Sequence, residues 1–135
     1  MLEVEVLKRV MVRLSKMGST VFRQNVGQAW AGSSVKVKGR TVVIEGAMPI
    51  TMGLIKGSSD LIGWTPVEIT QQMVGTKVAL FTAIECKRSE GGRLLPDQER
   101  FINRVKEAGG VAGVANSEDA AADIIERHLR ERLYS

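Results

Sequence analysis

Residues 77–115 read KVALFTAIECKRSEGGRLLPDQERFINRVKEAGGVAGVA, and this stretch decides the fold. Its first part, 77–86, is rich in apolar and β-branched residues and predicts a strand. From about residue 94 to 108 the apolar residues recur at helical spacing, and two glycines follow, which predicts a helix that ends there. Residues 111–115 predict a second short strand. A strand, a helix and a strand in this order predict a parallel crossover unit.

The same spacing arguments predict the rest of the chain. The further elements are a helix at 2–17, a strand at 20–25, a hairpin at 35–45 that turns near Gly39, a strand at 60–69, and a helix from 116 or 117 to about 133. The segments 27–34 and 46–59 are predicted to be loops, because small residues and glycines dominate the first and the second contains Pro49 and Gly57. The order predicts an α/β fold with a central mixed β-sheet flanked by helices.

Length and composition bound the class of protein. A chain of 135 residues fits a single domain over 1–135. No apolar run is long enough to span a membrane and the first residues lack an export signal, so we expect a cytoplasmic protein without a membrane partner. The lone Cys86 excludes an internal disulfide and suits a reducing compartment. The formal net charge of +4 favours an anionic partner such as nucleic acid, although many basic domains bind none.

Chemistry is predicted where the strand at 77–86 ends. Glu85 and Lys87 lie two residues apart, so both side chains project from the same face. Asp60 opens the preceding predicted strand, and antiparallel pairing of these two strands would bring Asp60 and Glu85 to one end of a sheet. Two carboxylates there could hold Mg²⁺, and an ammonium could neutralise phosphate charge or position water. The alternative is a solvated strand end with an incidental ion pair, because the pattern E-x-K is common by chance.

Two polar residues fall on apolar helical stripes. At roughly 100° per residue, Glu3 lies at the centre of the stripe that contains Val6 and Val10. Gln98 lies in the same way among Phe101 and its apolar neighbours on the helix at 94–108. An inward carboxylate or amide needs partners, so a polar centre between the two helices is one interpretation. The other is that Glu3 reaches solvent from the first helical turn and that Gln98 is a structural glutamine with satisfied hydrogen bonds.

Four stretches taken together resemble a known family. They are VFRQNVG at 21–27, GLIKGSSDLIGW at 53–64, FTAIECKRSEGGRLLPDQERFINRV at 81–105 and GGVAGVANSEDA at 109–120. In this order and spacing the chain resembles the virus-type replication-repair nuclease (VRR-NUC) family, a branch of the PD-(D/E)xK nucleases. The resemblance implies a PD-(D/E)xK nuclease-like core in the order α-β-β-β-α-β-α with an extra hairpin, as one nuclease domain.

The resemblance also implies a metal site. Asp60 and Glu85 would ligate Mg²⁺, the backbone carbonyl of Cys86 would add a ligand, and Glu3 resembles the acidic residue that the family carries on its first helix. Mn²⁺ is expected to substitute for Mg²⁺. Cys86 occupies a position where an apolar residue is frequent in the family, and we expect its side chain to pack as a small hydrophobic group.

The catalytic residues implied by the resemblance are Asp60, Glu85, Lys87 and Gln98, with Lys87 as the catalytic lysine. The implied reaction is metal-assisted hydrolysis of a DNA phosphodiester bond by an endonuclease that leaves a 5′-phosphate. Small stand-alone members resemble phage-type proteins and Holliday-junction resolvases, so branched DNA and a homodimer are expected. Two alternatives stay open: a nicking or exonucleolytic nuclease without junction preference, and a non-catalytic DNA-binding module.

Basic and polar residues near these motifs are candidate DNA contacts. They are Arg23, Gln24, Asn25, Lys36, Lys38, Arg40, Lys56, Arg88 and Arg93. Such residues supply salt-dependent affinity for phosphates that does not depend on base sequence. For any one of them the alternative is an ordinary solvated surface group.

Overall fold

A computed structural model describes residues 2–133 of the chain. In chain order the elements are α1 (Glu3–Lys16), β1 (Thr20–Arg23), β2 (Gly27–Ala31), β3 (Ser34–Lys38), β4 (Thr41–Glu45), β5 (Met48–Met52), β6 (Leu61–Trp64), a 3-10 turn (Gln71–Met73), β7 (Thr82–Cys86), α2 (Pro96–Glu107), β8 (Val111–Ala115) and α3 (Glu118–Leu133). The predicted α/β class is confirmed. None of the described helices is long and apolar enough to cross a membrane.

The strands differ from prediction in two segments. Both predicted loops contain a strand, because β2 and β5 pair antiparallel, with Ala29 opposite Ile50 and Trp30 opposite Pro49. The loop predictions for 27–34 and 46–59 are therefore wrong in part. Small residues in the first segment and Pro49 in the second obscure the alternation of apolar and polar residues that is typical of a strand. A proline is nevertheless tolerated in a strand that has a neighbour on one side only. The hairpin prediction is confirmed, since β3 and β4 pair antiparallel around Gly39, whose φ is +62°.

Strand pairing also departs from expectation. The described strands pair two by two, as β1 with β6, β2 with β5, β3 with β4 and β7 with β8, rather than in one central sheet. Of the strands next to Asp60 and Glu85, β6 pairs with β1 and β7 pairs with β8, so the antiparallel pairing considered for them stays a prediction. Both strands are also shorter than predicted: β6 ends at Trp64 and β7 begins at Thr82, and the residues between them form no strand.

The described chain divides into two compact units. The first contains residues 2–15 and Thr20–Gly63, and the second contains Lys16–Ser19 and residues 64–133. The prediction of a single domain over 1–135 concerns both units together and stays a prediction.

The second unit contains the parallel crossover predicted from residues 77–115. β7 and β8 pair in parallel, with Ala83 opposite Ala112, and α2 connects them. The core here consists of Ile102, Val105 and Ala112, and Val105 is 0% exposed. Trp64, Phe81, Ala83 and Leu94 pack around these three residues. Burial of one face of α2 against β7 and β8 stabilises the crossover.

Helix α2 ends at a glycine for a clear backbone reason. Gly109 adopts a φ of +94°, which favours glycine. Its N–H donates to the carbonyl of Lys106, and the N–H of Gly110 donates to the carbonyl of Val105 at 2.9 Å. These two bonds form a Schellman motif, which satisfies the last carbonyls of the helix and turns the chain into β8.

Helix α3 packs on β8, the second strand of the crossover. The Oγ of Ser117 accepts the N–H of Ala120, so Ser117 is the residue that caps α3. Ile124 of α3 approaches Gly113 of β8 so closely that a Cβ on Gly113 would lie 2.7 Å from the Ile124 Cδ1. Glycine at this position therefore sets the distance between helix and strand.

Candidate active site

Glu85 and Lys87 lie side by side at the end of β7. The Lys87 Nζ is 3.1 Å from the Glu85 Oε1, which confirms that the two side chains share a face. Glu85 pairs with Val114 in the parallel ladder, and the Lys87 N–H donates to the carbonyl of Ala115 at 2.9 Å. The backbone is thus held by β8 on both sides of the pair. The side chain of Lys87 is 17% exposed and that of Glu85 is 32% exposed.

Gln98 joins this pair from α2. Its Nε2 donates to the Glu85 Oε1 at 2.9 Å, and its Oε1 accepts from the Lys87 Nζ at 2.8 Å. The same Oε1 accepts the backbone N–H of Leu95 at 2.9 Å. The Lys87 ammonium and the Leu95 N–H therefore fix the orientation of the amide. If its oxygen and nitrogen were exchanged, the amide NH₂ would face these two donors. Of the two interpretations of Gln98, the structure shows the satisfied one, and its hydrogen bonds lead to the predicted site residues.

The start of α2 explains why a glutamine stands at this position. Leu95 is the N-cap residue and has no side-chain acceptor, and Pro96 follows with no N–H to satisfy. Gln98 occupies the third helical position, from which a Gln or Glu side chain can reach back to the N-cap N–H. One amide thus caps α2 and contacts both Glu85 and Lys87, so the position of the helix is coupled to the position of the acid and the lysine.

A cavity of about 360 Å³ opens beside these residues. It is lined by Ala83, Ile84, Glu85, Asp97, Gln98, Phe101 and Ile102. Asp97 was not among the predicted site residues, although it precedes Gln98 and lies in the acidic first turn of α2. Its carboxylate pairs with Arg100. The sequence signal that could have identified it is this adjacency to Gln98 at the helix start.

The loop after β7 lies against Lys87. A Cβ on Gly92 would lie 2.7 Å from the Lys87 Cβ, so any side chain at this position would displace the lysine or the loop. Arg88 donates through Nη2 to the carbonyl of Gly91 at 3.2 Å. The predicted DNA contact Arg88 is therefore exposed but bonded to its own loop.

In the first unit, Asp60 immediately precedes β6 and is exposed. Its carbonyl accepts the N–H of Gln24 at 2.9 Å. The Gln24 side chain donates to the Ser58 Oγ and to the carbonyl of Ser59, both at 2.7 Å, and accepts the N–H of Leu54 at 3.1 Å. Gln24 was predicted as a DNA contact. These hydrogen bonds give it a structural role, because they hold the loop that leads to Asp60.

Glu3 is exposed at the start of α1, and no residue of α1 is buried. The polar centre between α1 and α2 stays a prediction, because the two helices belong to different compact units. Among the described elements α1 makes no extensive contact, and in its apolar stripe Val6 is 44% exposed while Leu7 and Leu14 are half-buried.

The remaining predicted DNA contacts lie on the surface. Lys36 and Lys38 share one face of β3, and Arg40 follows in the turn, outside the ladder. The others, Arg23, Asn25, Lys56 and Arg93, are exposed. Their contact with DNA stays a prediction.

The donors predicted for Mg²⁺ fit a hard cation by their chemistry. Within residues 2–133, no three side chains of His, Cys, Asp or Glu gather as a metal-binding group. Mg²⁺, however, is commonly held by one or two carboxylates together with water and phosphate oxygens. Both described contacts of the Glu85 carboxylate fall on Oε1, which leaves Oε2 without a described hydrogen bond. The Cys86 side chain is exposed, so the expectation that it packs in a core is wrong.

Comparison with known proteins gives one result. The family model described as the VRR-NUC domain matches residues 51–119, just over half of the chain. The match includes Asp60, Glu85, Lys87 and Gln98. No curated protein and no solved structure matches. The hydrogen-bonded residues Glu85, Lys87 and Gln98 lie inside the matched region. The chain belongs to the VRR-NUC family.

Proposed function

We propose that this protein is a Mg²⁺-dependent endonuclease that hydrolyses phosphodiester bonds, with a preference for branched DNA such as a Holliday junction. Membership of the VRR-NUC family implies a nuclease-type function in DNA processing. The observation that carries the proposal is the contact network of Glu85, Lys87 and Gln98, in which an acid, an ammonium and an amide are held together beside an open cavity.

The metal would be held by oxygen atoms. Glu85, Asp60, Glu3 and the backbone carbonyl of Cys86 are the proposed ligands, of which Glu85 contributes the unbonded Oε2. When bound, Mg²⁺ supplies charge stabilisation at the phosphoryl group and a more acidic water. We treat Glu3 and Asp60 as ligands on the strength of the family resemblance, since they belong to the other compact unit.

Lys87 would act on the phosphate directly. Its ammonium lies 2.8 Å from the Oε1 of Gln98 and 3.1 Å from the Oε1 of Glu85. A positive charge at this place can neutralise a phosphate oxygen as negative charge develops on it, or orient the attacking water. Gln98 would be a positioning residue: it holds the carboxylate and the ammonium through one rigid amide and limits the orientations that either can adopt.

The proposed substrate is double-stranded and branched, and the proposed active form is a homodimer. Lys36, Lys38 and Arg40 offer a basic row for the phosphate backbone. Two copies related by a two-fold axis could cut two strands of a four-way junction symmetrically.

The direct test is cleavage of end-labelled four-way junctions, flaps and plain duplexes, in Mg²⁺ and in EDTA. The variant is Lys87→Ala, and the matched control is Lys77→Ala, because Lys77 is an exposed lysine that precedes β7. We expect cleavage in Mg²⁺, faster on junctions than on duplexes, and none in EDTA. Lys87→Ala should reduce the rate by about 100- to 1000-fold, the usual effect of removing one group that stabilises transition-state charge.

Other results of these experiments would contradict the mechanism or support one of the alternative functions. Cleavage that survives both EDTA and Lys87→Ala contradicts the mechanism. Equal rates on junctions and duplexes favour a nicking or exonucleolytic enzyme. DNA binding without cleavage, together with no Mg²⁺ or Mn²⁺ binding by calorimetry, identifies a non-catalytic DNA-binding module.

A further inference from the structure

The cavity between α2 and β7 combines apolar walls with two carboxylates. Its apolar lining consists of Ala83, Ile84, Phe101 and Ile102, and its polar lining consists of Glu85, Asp97 and Gln98. None of the described residues that line it carries a positive charge. A phosphate group would meet carboxylates and no cation there, so the cavity is not suited to the DNA backbone itself.

Phe101 gives the cavity an aromatic wall whose orientation is fixed by its neighbours. Its ring packs edge-on against Trp64, with the two ring centroids 6.1 Å apart. Trp64 packs in turn against Phe81, with centroids 4.9 Å apart. Phe101 is nevertheless 36% exposed. An aromatic ring that is held in place and keeps exposed surface offers a platform on which a planar ring can stack.

Asp97 gives the same cavity a hydrogen-bond acceptor. Its Oδ1 pairs with Arg100, whereas its Oδ2 has no described hydrogen bond. A carboxylate accepts hydrogen bonds and donates none. The amide nitrogen of Gln98, which could donate, is bonded to Glu85. The polar part of the lining therefore favours a molecule that presents a donor, such as an amino group, to Asp97.

We propose that this cavity binds one unstacked nucleobase of the DNA beside the scissile phosphate. Phe101 stacks on the face of the base, and Asp97 accepts a hydrogen bond from its exocyclic amino group. The inference rests on the proposed function and adds a base-reading subsite to it. Glu85 connects the two, because it lines the cavity and also contacts Lys87 and Gln98. Since a base is attached one sugar away from its phosphate, a phosphate at this network has a base within reach of the cavity.

The size of the cavity suits a single ring system. Its volume of about 360 Å³ lies near the lower end of the roughly 300–1,000 Å³ that is typical of small-molecule pockets. A deoxyribose has no planar face that could stack on Phe101. Of the three parts of a nucleotide, the base is therefore the one that matches the apolar walls, the aromatic ring and the lone acceptor pattern.

Occupation of the cavity requires a base that has left the DNA stack. Extrusion from a duplex costs pairing and stacking energy, and the cost is smallest for a base that is already single-stranded. A flap or a junction offers such bases at its branch, whereas a plain duplex does not. The cavity thus supplies a physical reason for the preference for branched DNA. Cytosine presents an amino group where thymine presents a carbonyl oxygen, so Asp97 should favour cytosine over thymine.

Binding of labelled flaps in EDTA tests the subsite without depending on cleavage. Each nucleotide at the branch is made cytosine, thymine or an abasic site in turn, and fluorescence anisotropy gives the dissociation constants. At one position the wild type should bind the cytosine flap at least about 5-fold more tightly than the abasic flap. It should also bind the cytosine flap about 5-fold more tightly than the thymine flap.

Three variants separate the two contacts. Asp97→Asn offers both a donor and an acceptor, so it should lose the preference for cytosine over thymine and keep the difference from the abasic flap. Phe101→Leu keeps an apolar wall without an aromatic ring, so it should reduce the difference between the cytosine and abasic flaps. Glu99→Gln is the matched control and should keep both ratios, because Glu99 is another exposed acid in the first turn of α2 and does not line the cavity.

Two results would overturn the proposal. One is equal wild-type affinity for the three flaps at every position, and the other is a cytosine preference that Asp97→Asn and Glu99→Gln retain equally. Circular dichroism checks folding, and if Phe101→Leu unfolds, the comparison of Asp97→Asn with Glu99→Gln decides alone. Base-dependent binding without cleavage in Mg²⁺ supports the subsite and contradicts the nuclease, whereas cleavage that is indifferent to the base supports the nuclease and contradicts the subsite.

Discussion

The amide oxygen of Gln98 lies 2.8 Å from the ammonium of Lys87, while the amide nitrogen of the same residue lies 2.9 Å from the carboxylate of Glu85. A single side chain thus contacts the two groups whose charges oppose each other. Because it also accepts the Leu95 N–H, its hydrogen bonds connect the chemistry of the site to the stability of α2.

This double role predicts two separable effects at Gln98. Gln98→Leu removes the contacts to both charged groups and the cap at Leu95, and Gln98→Glu keeps an oxygen for the cap but places a second carboxylate beside Glu85. We expect Gln98→Leu to lose about 1 kcal/mol of unfolding free energy and about 10- to 100-fold in cleavage rate. Gln98→Glu should lose the rate and keep most of the stability. Denaturant unfolding and junction cleavage measure the two effects, and an active Gln98→Leu variant would argue against a positioning role.

Metal binding should depend on Glu85. Replacing its carboxylate by an amide removes a charged oxygen ligand, so Glu85→Gln should bind Mn²⁺ at least about 10-fold more weakly in titration calorimetry. Glu99→Gln is the matched control, because Glu99 is an exposed acid on the same helix as Gln98. Equal Mn²⁺ affinity in the two variants would exclude Glu85 as a ligand.

The basic row on β3 should contribute to DNA affinity through phosphate contacts. If Lys36 and Lys38 each neutralise one phosphate, Lys36→Gln with Lys38→Gln should reduce the slope of log affinity against log salt by about 2. The same charge change in Lys77→Gln with Lys106→Gln serves as the control, since both lysines are exposed and lie outside β3 and β4. Fluorescence anisotropy with a labelled junction gives the slopes, and identical slopes in the two double variants would contradict the assignment.

The crossover unit should depend on Val105. This side chain is 0% exposed in the core between α2 and β8, so Val105→Ala should lower the unfolding free energy by about 2 kcal/mol. Val114→Ala is the control, because Val114 lies on β8 at 39% exposure and has less surface to lose. Urea denaturation of the two variants measures the difference. Similar losses would mean that the core is centred elsewhere.

Sequence periodicity predicted the elements that bury a regular face. Helix α2 and strand β8 follow the expected bounds closely, because apolar residues such as Ile102 and Val105 recur at helical spacing and glycines end the helix. The strands β2 and β5 were missed because their stability comes from pairing with each other and not from a strong local pattern. Pairing partners lie far apart in the sequence, and local propensity carries no information about them.

For the site, spacing predicted the shared face of Glu85 and Lys87, and this is confirmed at 3.1 Å. Helical periodicity also singled out Gln98, although it could not tell which groups the amide contacts. At Glu3 an amphipathic stripe indicates a face that prefers burial but does not show what covers it, so the inward position of Glu3 stays a prediction. Asp97 was missed because an acid in a first helical turn has an ordinary explanation in the helix dipole.

The parallel pairing of β7 with β8 has a consequence for the order of events during synthesis. Glu85 pairs with Val114 of β8. This strand, which aligns the acid and the lysine, is synthesised only after Gln98 and the whole of α2. A ribosome that has released the chain as far as α2 has therefore released all three members of the network without the strand that holds them. Closing this long loop is slow compared with forming a helix or a hairpin. The nascent chain should thus acquire its active geometry late, after β8 has emerged.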